Sequence, residues 1–128
     1  MDEQKYNLDQ SLAELDKLFD LSAEVTDKTA CEALAEKARI IYGQYPKSED
    51  IALLYARILV NLSTKQTELK ELETTVEKLE NLQQKFPESH DIAEAFARIL
   101  VNLSIKQTGL KEIEATAEKL EKLQQQFQ

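Results

Sequence analysis

Residues 41–66, IYGQYPKSEDIALLYARILVNLSTKQ, are followed 41 places later by LQQKFPESHDIAEAFARILVNLSIKQ, residues 82–107. Between Asp50–Phe86 and Asp91–Phe127 only ten of 37 positions differ. A period of this length signals stacked supersecondary units, none of which buries its apolar face alone. An older copy lies upstream, where YGQYP at 42–46 matches QQKFP at 83–87 and Leu21-Ser22 matches Leu62-Ser63. The chain therefore reads as a single domain, 1–128, divided into repeats at about 9–49, 50–90 and 91–128.

Each repeat reads as two helices. Ser48 and Ser89 stand where an N-cap is expected, and the acids behind them suit the positive end of a helix dipole. The first helix then runs to about Leu62 or Leu103. The STKQT or SIKQT connection follows, with Thr67 or Thr108 expected to cap the second helix and Thr26 to do so in the first repeat. The second helix ends near Lys85, because Phe86 precedes Pro87 and is pushed out of the α region. Ser63-x-x-Gln66 and Ser104-x-x-Gln107 read as capping-box-like turns between the helices.

At 100° per residue the two helices differ in character. In the second, Leu69, Leu72, Val76, Leu79, Leu82 and Phe86 share one side and the charges take the other. In the first, Ile51, Tyr55, Ile58 and Leu62 form a stripe that Ala52, Leu53, Leu54, Ala56, Leu59 and Val60 widen around most of the circumference. Only Asp50, Arg57 and Asn61 remain in a polar strip. A helix apolar nearly all round needs neighbours on several sides, so the first helix is the inner one and the second is solvent-facing.

This organisation resembles the tetratricopeptide-repeat-like α-solenoids over nearly the whole chain. The resemblance rests on Ala56 and Ala97, on Tyr55 and Phe96 beside them, and on Pro46 and Pro87 at the repeat boundaries. It departs in length, with about seven residues more than that family's usual repeat. It implies an all-α, right-handed α-solenoid of three antiparallel helix pairs, six helices in all. HEAT-like helix pairs have a similar period and stay open as an alternative geometry. Solenoids of this kind serve as protein-binding scaffolds whose inner helices line a groove. The partner-binding positions it implies are Arg57, Asn61 and Lys65, and their copies Arg98, Asn102 and Lys106. Arginine forks onto carboxylates and asparagine bonds an extended backbone. A structural role for the same strip stays open, with Arg57 paired to Asp50 or a neighbouring helix and Asn61 satisfying carbonyls at a helix end.

Net charge bears on the partner. The chain carries 24 acids against 16 Lys and Arg, a formal charge of −8. Such a surface disfavours nucleic acid and anionic membranes, leaving a protein or peptide as the expected partner. MDEQKYNLDQ does not read as a signal peptide, and the lone Cys31 fits a reducing cytoplasm. Cys31 aligns with Leu72 and Ile113, so it reads as a small buried hydrophobe. His90 opens a helix beside a boundary proline. Tyr6, Tyr42, Tyr45 and Tyr55 read as core or junction aromatics. With two glycines, no nucleophile–base pair and no metal-spaced cluster, neither an enzyme nor a cofactor is expected.

Terminal units of a stack must tolerate water. Glu14 and Lys17 stand in the first repeat where the second has Tyr55 and Ile58, and Glu94 and Ala95 replace Leu53 and Leu54 in the third. The last pair ends at QQQFQ without a capping helix, which predicts a homodimer through the C-terminal pair. Two further readings stay open: a self-associating structural protein, and a recently amplified or engineered array with no evolved partner.

Overall fold

The computed structural model describes residues 2–107 and 109–127. They form α1 (Asp2–Glu24), α2 (Lys28–Gln44), α3 (Glu49–Ser63), α4 (Leu69–Lys85), α5 (His90–Lys106) and α6 (Leu110–Gln126). The protein is all-helical among the described residues, and none of its helices is long and apolar enough to cross a membrane.

Local chemistry accounts for most of the boundaries. Ser48 Oγ accepts from Ile51 N and Ser89 Oγ from Ile92 N, each at 3.2 Å. Tyr45 and Phe86, each before a proline, leave helical geometry at φ −131°, ψ 59° and φ −123°, ψ 65°, as the clash with the proline ring requires. Two expected caps change. Asp27, not Thr26, caps α2 by accepting from Ala30 N at 3.1 Å; its carboxylate adds a negative charge at the positive helix end, which a hydroxyl cannot. Glu68 occupies the N-cap of α4 without a side-chain bond, so Thr67 does not cap it. The matching expectation for Thr108 lies outside the described residues.

The capping-box turn is likewise replaced. Gln66 turns toward the following helix, where its Oε1 accepts from Thr75 Oγ1 at 2.8 Å, and Gln107 accepts from Thr116 Oγ1 at 2.9 Å. Both threonines are buried, and a buried hydroxyl needs a partner. One sequence difference also alters length. Thr64 Oγ1 donates to Asn61 O at 2.7 Å and α3 stops at Ser63. Ile105 has no such competing bond, and α5 continues to Lys106.

Successive helices pair as α1–α2, α3–α4 and α5–α6, and each later pair packs on the one before it. Helix α3 packs on both α1 and α2, and α5 packs on both α3 and α4. Among the described residues the outer helices α2, α4 and α6 do not pack on one another, nor does α1 reach α5 or α6. Two ion pairs bridge the outer gaps, Lys28–Glu71 at 3.0 Å and Lys119–Glu80 at 3.1 Å.

Burial follows this arrangement. Ile51, Ala52, Ala56, Ile58, Leu59 and Leu62 of α3 are all buried, each Ile or Leu contributing about 1.5–3 kcal/mol relative to exposure. Helix α4 buries Leu72, Val76, Leu79 and Leu82 on one side only. The inner/outer distinction therefore holds for the middle pair. It weakens in α1, where among the described side chains only Leu15, Leu18 and Ser22 are buried, since α1 packs on α2 and α3 alone among the described residues. Cys31 is buried with its thiol against Ser22 O. Tyr55 is buried and Tyr42 stacks on it at 5.5 Å, while Tyr45 packs against the core; the Tyr6 side chain lies outside those described.

Candidate interaction surface

Ser22 and Ser63 end two inner helices in the same way. Each hydroxyl donates back to the carbonyl three residues earlier, Phe19 O and Val60 O, which leaves its oxygen free to accept. Asn61 Nδ2 donates to Ser22 Oγ and Asn102 Nδ2 to Ser63 Oγ, each at 2.9 Å. The lysine one turn on follows the same rule. Lys65 Nζ donates to Ser22 O at 3.0 Å and to Asn61 O at 3.2 Å. Lys106 Nζ donates to Ser63 O at 3.5 Å and to Gln66 O. The last carbonyls of a helix lack intrahelical donors and carry its negative dipole end, so α1 and α3 are each finished by an ammonium supplied from the next pair. Four of the six sequence-nominated binding residues, Asn61, Lys65, Asn102 and Lys106, are thereby joined to the neighbouring repeat.

A signal for this ladder stood in the repeat pattern. A bond directed from each unit to the one before requires the serine in units one and two, and the Asn and Lys only in units two and three. Ser22, Ser63 and Ser104 match in all three copies, whereas the first copy has Asp20 and Glu24 where the others have Asn and Lys.

Arg57 and Arg98 remain exposed. With Asn61 they line a depression of about 160 Å³ that spans α1, α3 and α5, floored by Phe19, Val60 and Ala95 and edged by Asp91 and Glu94. Arg98 holds Glu94 at 2.8 Å, an exposed i, i+4 pair of about 0.3–0.5 kcal/mol that a ligand could displace. Arg57 has no carboxylate within ion-pair distance among the described residues. The structure thus gathers Arg57, Asn61 and Arg98 around one hollow and turns Lys65, Asn102 and Lys106 away from it.

The gaps between outer helices form two clefts that the helical wheel does not show. One lies between α2 and α4 over α3, of about 280 Å³, and the other between α4 and α6 over α5, of about 350 Å³. Every residue lining the second stands 41 places after one lining the first. Glu32, Glu36 and Glu71 stand against Arg39 and Lys78 in the first, and Glu73, Glu77, Glu80 and Glu112 against Lys119 in the second. In the first cleft the Arg39 guanidinium, bonded to Glu36, holds that carboxyl below its ordinary range. Tyr55 forms part of the floor, and burial pushes its phenol up to about 12. Burial likewise raises the Cys31 thiol. Among the described residues no three His, Cys, Asp or Glu side chains gather as a metal-ligand set.

Compared with protein-family models, with curated proteins and with solved structures, the chain matches none.

Proposed function

We propose that this protein is a non-catalytic protein-interaction scaffold, a right-handed, tetratricopeptide-repeat-like α-solenoid of three helix pairs, that binds a partner segment along the face shared by α1, α3 and α5. The observation that carries the reading is the pairing of Arg57 and Arg98 in the same register. Both are exposed and line one hollow, while Asn61, Lys65, Asn102 and Lys106 are used between repeats. Two guanidiniums one repeat apart suit a segment with spaced carboxylates, which arginine takes by paired hydrogen bonds. Asp91 and Glu94 at the rim favour a segment that also carries a cation. A cytoplasmic setting goes with this reading, because a lone free thiol such as Cys31 persists in a reducing compartment.

The test is the double substitution Arg57→Glu and Arg98→Glu. Both side chains are exposed, so the helical circular dichroism and the unfolding midpoint should survive nearly unchanged, while a native partner recovered by the unaltered protein should be lost. A variant that unfolds makes the two arginines structural, and a folded variant that retains its partner removes the face from the binding site.

A further inference from the structure

The groove between α5 and α6 is lined by His90, Ala93, Ala97, Leu120, Leu123 and Phe127, with a volume of about 560 Å³. Moving back 41 positions gives Glu49, Ala52, Ala56, Leu79, Leu82 and Phe86, the same surface of the middle pair. There Ala52, Ala56, Leu79 and Leu82 are buried, because α5 packs across α3 and α4. One repeat earlier still, Leu15, Ala38 and Ile41 are buried at the matching positions, where α3 packs across α1 and α2. The surface therefore occurs three times. It is covered twice by a helix of one kind; in the last pair Ala93 and Leu123 are still buried, while Ala97, Leu120 and Phe127 are half-buried with no further helix packed over them among the described residues. Val101 is 45% exposed, whereas its counterpart Val60 in the covered pair is half-buried.

The polar ladder has the same open rung. Ser104 Oγ donates to Val101 O at 2.8 Å, as Ser22 does to Phe19 O and Ser63 to Val60 O. Ser22 and Ser63 each accept an asparagine amide from the next inner helix. Ser104 has no such donor among the described residues.

From this continuity we infer that the groove between α5 and α6 is a docking seat for one further amphipathic helix of the α3 and α5 kind, supplied by a partner polypeptide. Its recognition elements are an apolar face of Ile and Ala set on Ala93, Ala97, Leu120 and Leu123, an asparagine donating to Ser104 Oγ, and a lysine one turn later at the C-terminal carbonyls of α5. The inference goes beyond the arginine-lined hollow and concerns a different surface. A second copy of this chain does not meet the requirement. Its α3 and α5 already spend that face on their own predecessors, and its α1 presents Asp20 and Glu24 at the Asn and Lys positions. Those carboxylates would meet the negative end of α5 and repel it.

The experiment uses the full chain and a fluorescein-labelled synthetic peptide with the sequence of residues 89–107, read by fluorescence anisotropy. Saturable binding is expected, with peptide helicity rising on binding, since a helix this short is marginal alone. Ser104→Ala should weaken binding about threefold to tenfold, the worth of one neutral hydrogen bond, and should have no further effect on a peptide whose Asn102 is replaced by alanine. Ala97→Glu, which places a charge in the seat, should abolish binding while circular dichroism stays helical. Absence of binding overturns the inference. So does binding that neither substitution disturbs, which would mean the peptide displaces α5 instead. A mass that doubles with concentration in light scattering and returns to monomer in Ala97→Glu would make a second copy the occupant and equally overturn it.

Discussion

Replacing Asn102 with alanine isolates the bond that joins the last two helix pairs. The Asn102 amide lies 2.9 Å from Ser63 Oγ, and Ser63 is 0% exposed. The Ser63 proton stays on Val60 O in the variant, so the substitution removes one accepted bond without stranding a buried donor. That bounds the loss to about 0.5–1.5 kcal/mol, the net worth of a neutral hydrogen bond, or about 2–6 °C in Tm at roughly 4 °C per kcal/mol for a domain of this size. Ser63→Ala removes the same bond from the other side together with the bond to Val60 O. The double variant should therefore lose less than the sum of the two, with a coupling of about 0.5–1 kcal/mol. Urea titrations of the four proteins followed by circular dichroism give this cycle. The Ser22–Asn61 pair should give a coupling of the same size, because its distance and surroundings repeat. Losses that add to within about 0.3 kcal/mol, or an Asn102→Ala variant as stable as the parent, would refute the junction and return Asn102 to the candidate binding residues.

Two further outcomes follow from burial. Ala56 is 0% exposed beneath the next helix pair, so Ala56→Leu should destabilise by about 1–3 kcal/mol through overpacking. Its copy Ala97 faces the open groove, and Ala97→Leu should stay within about 0.5 kcal/mol; equal losses in thermal melts would show that nothing distinguishes the two seats. Tyr55 has its phenol raised by burial from 10.0 to about 12, so the folded state favours the neutral, protonated form. The contribution is fully present below pH 10 and is lost as pH rises through about 12, amounting to at most about 2.7 kcal/mol at 1.36 kcal/mol per unit. Urea midpoints measured below pH 10 and near pH 12 should show this fall in the parent, and Tyr55→Phe should lessen it; an unchanged pH dependence in Tyr55→Phe would remove the buried phenol as its source.

What was legible in advance divides by the range of the forces involved. Ser48 and Ser89 as caps, and Phe86 as a stop, depend on groups within four residues of one another, and the structure shows each of them. Thr26 lost its place to Asp27 because two adjacent residues both suit a cap, and the stronger electrostatic partner prevailed. Gln66 left its expected turn for Thr75, a partner nine residues away on the next helix, which no local pattern reveals. The candidate site shows the same division. Arg57 and Arg98 were nominated as surface residues and are exposed, since a charge on a helix otherwise apolar all round has nowhere to go but the solvent edge. Asn61 and Lys65 were nominated beside them, yet their partners lie 39 and 43 residues upstream.

The sequence by itself determined the period, the six helices and which member of the central pair is enclosed, because caps, prolines and the 3.6-residue apolar rhythm act within a turn or two. Only the tertiary structure decided how the polar strip divides between internal junction and free surface, that the outer helices part to leave twin clefts, and that one copy of the seat stands open. Those outcomes depend on which side chains from different repeats meet, and helix crossing geometry sets that across some forty residues of chain.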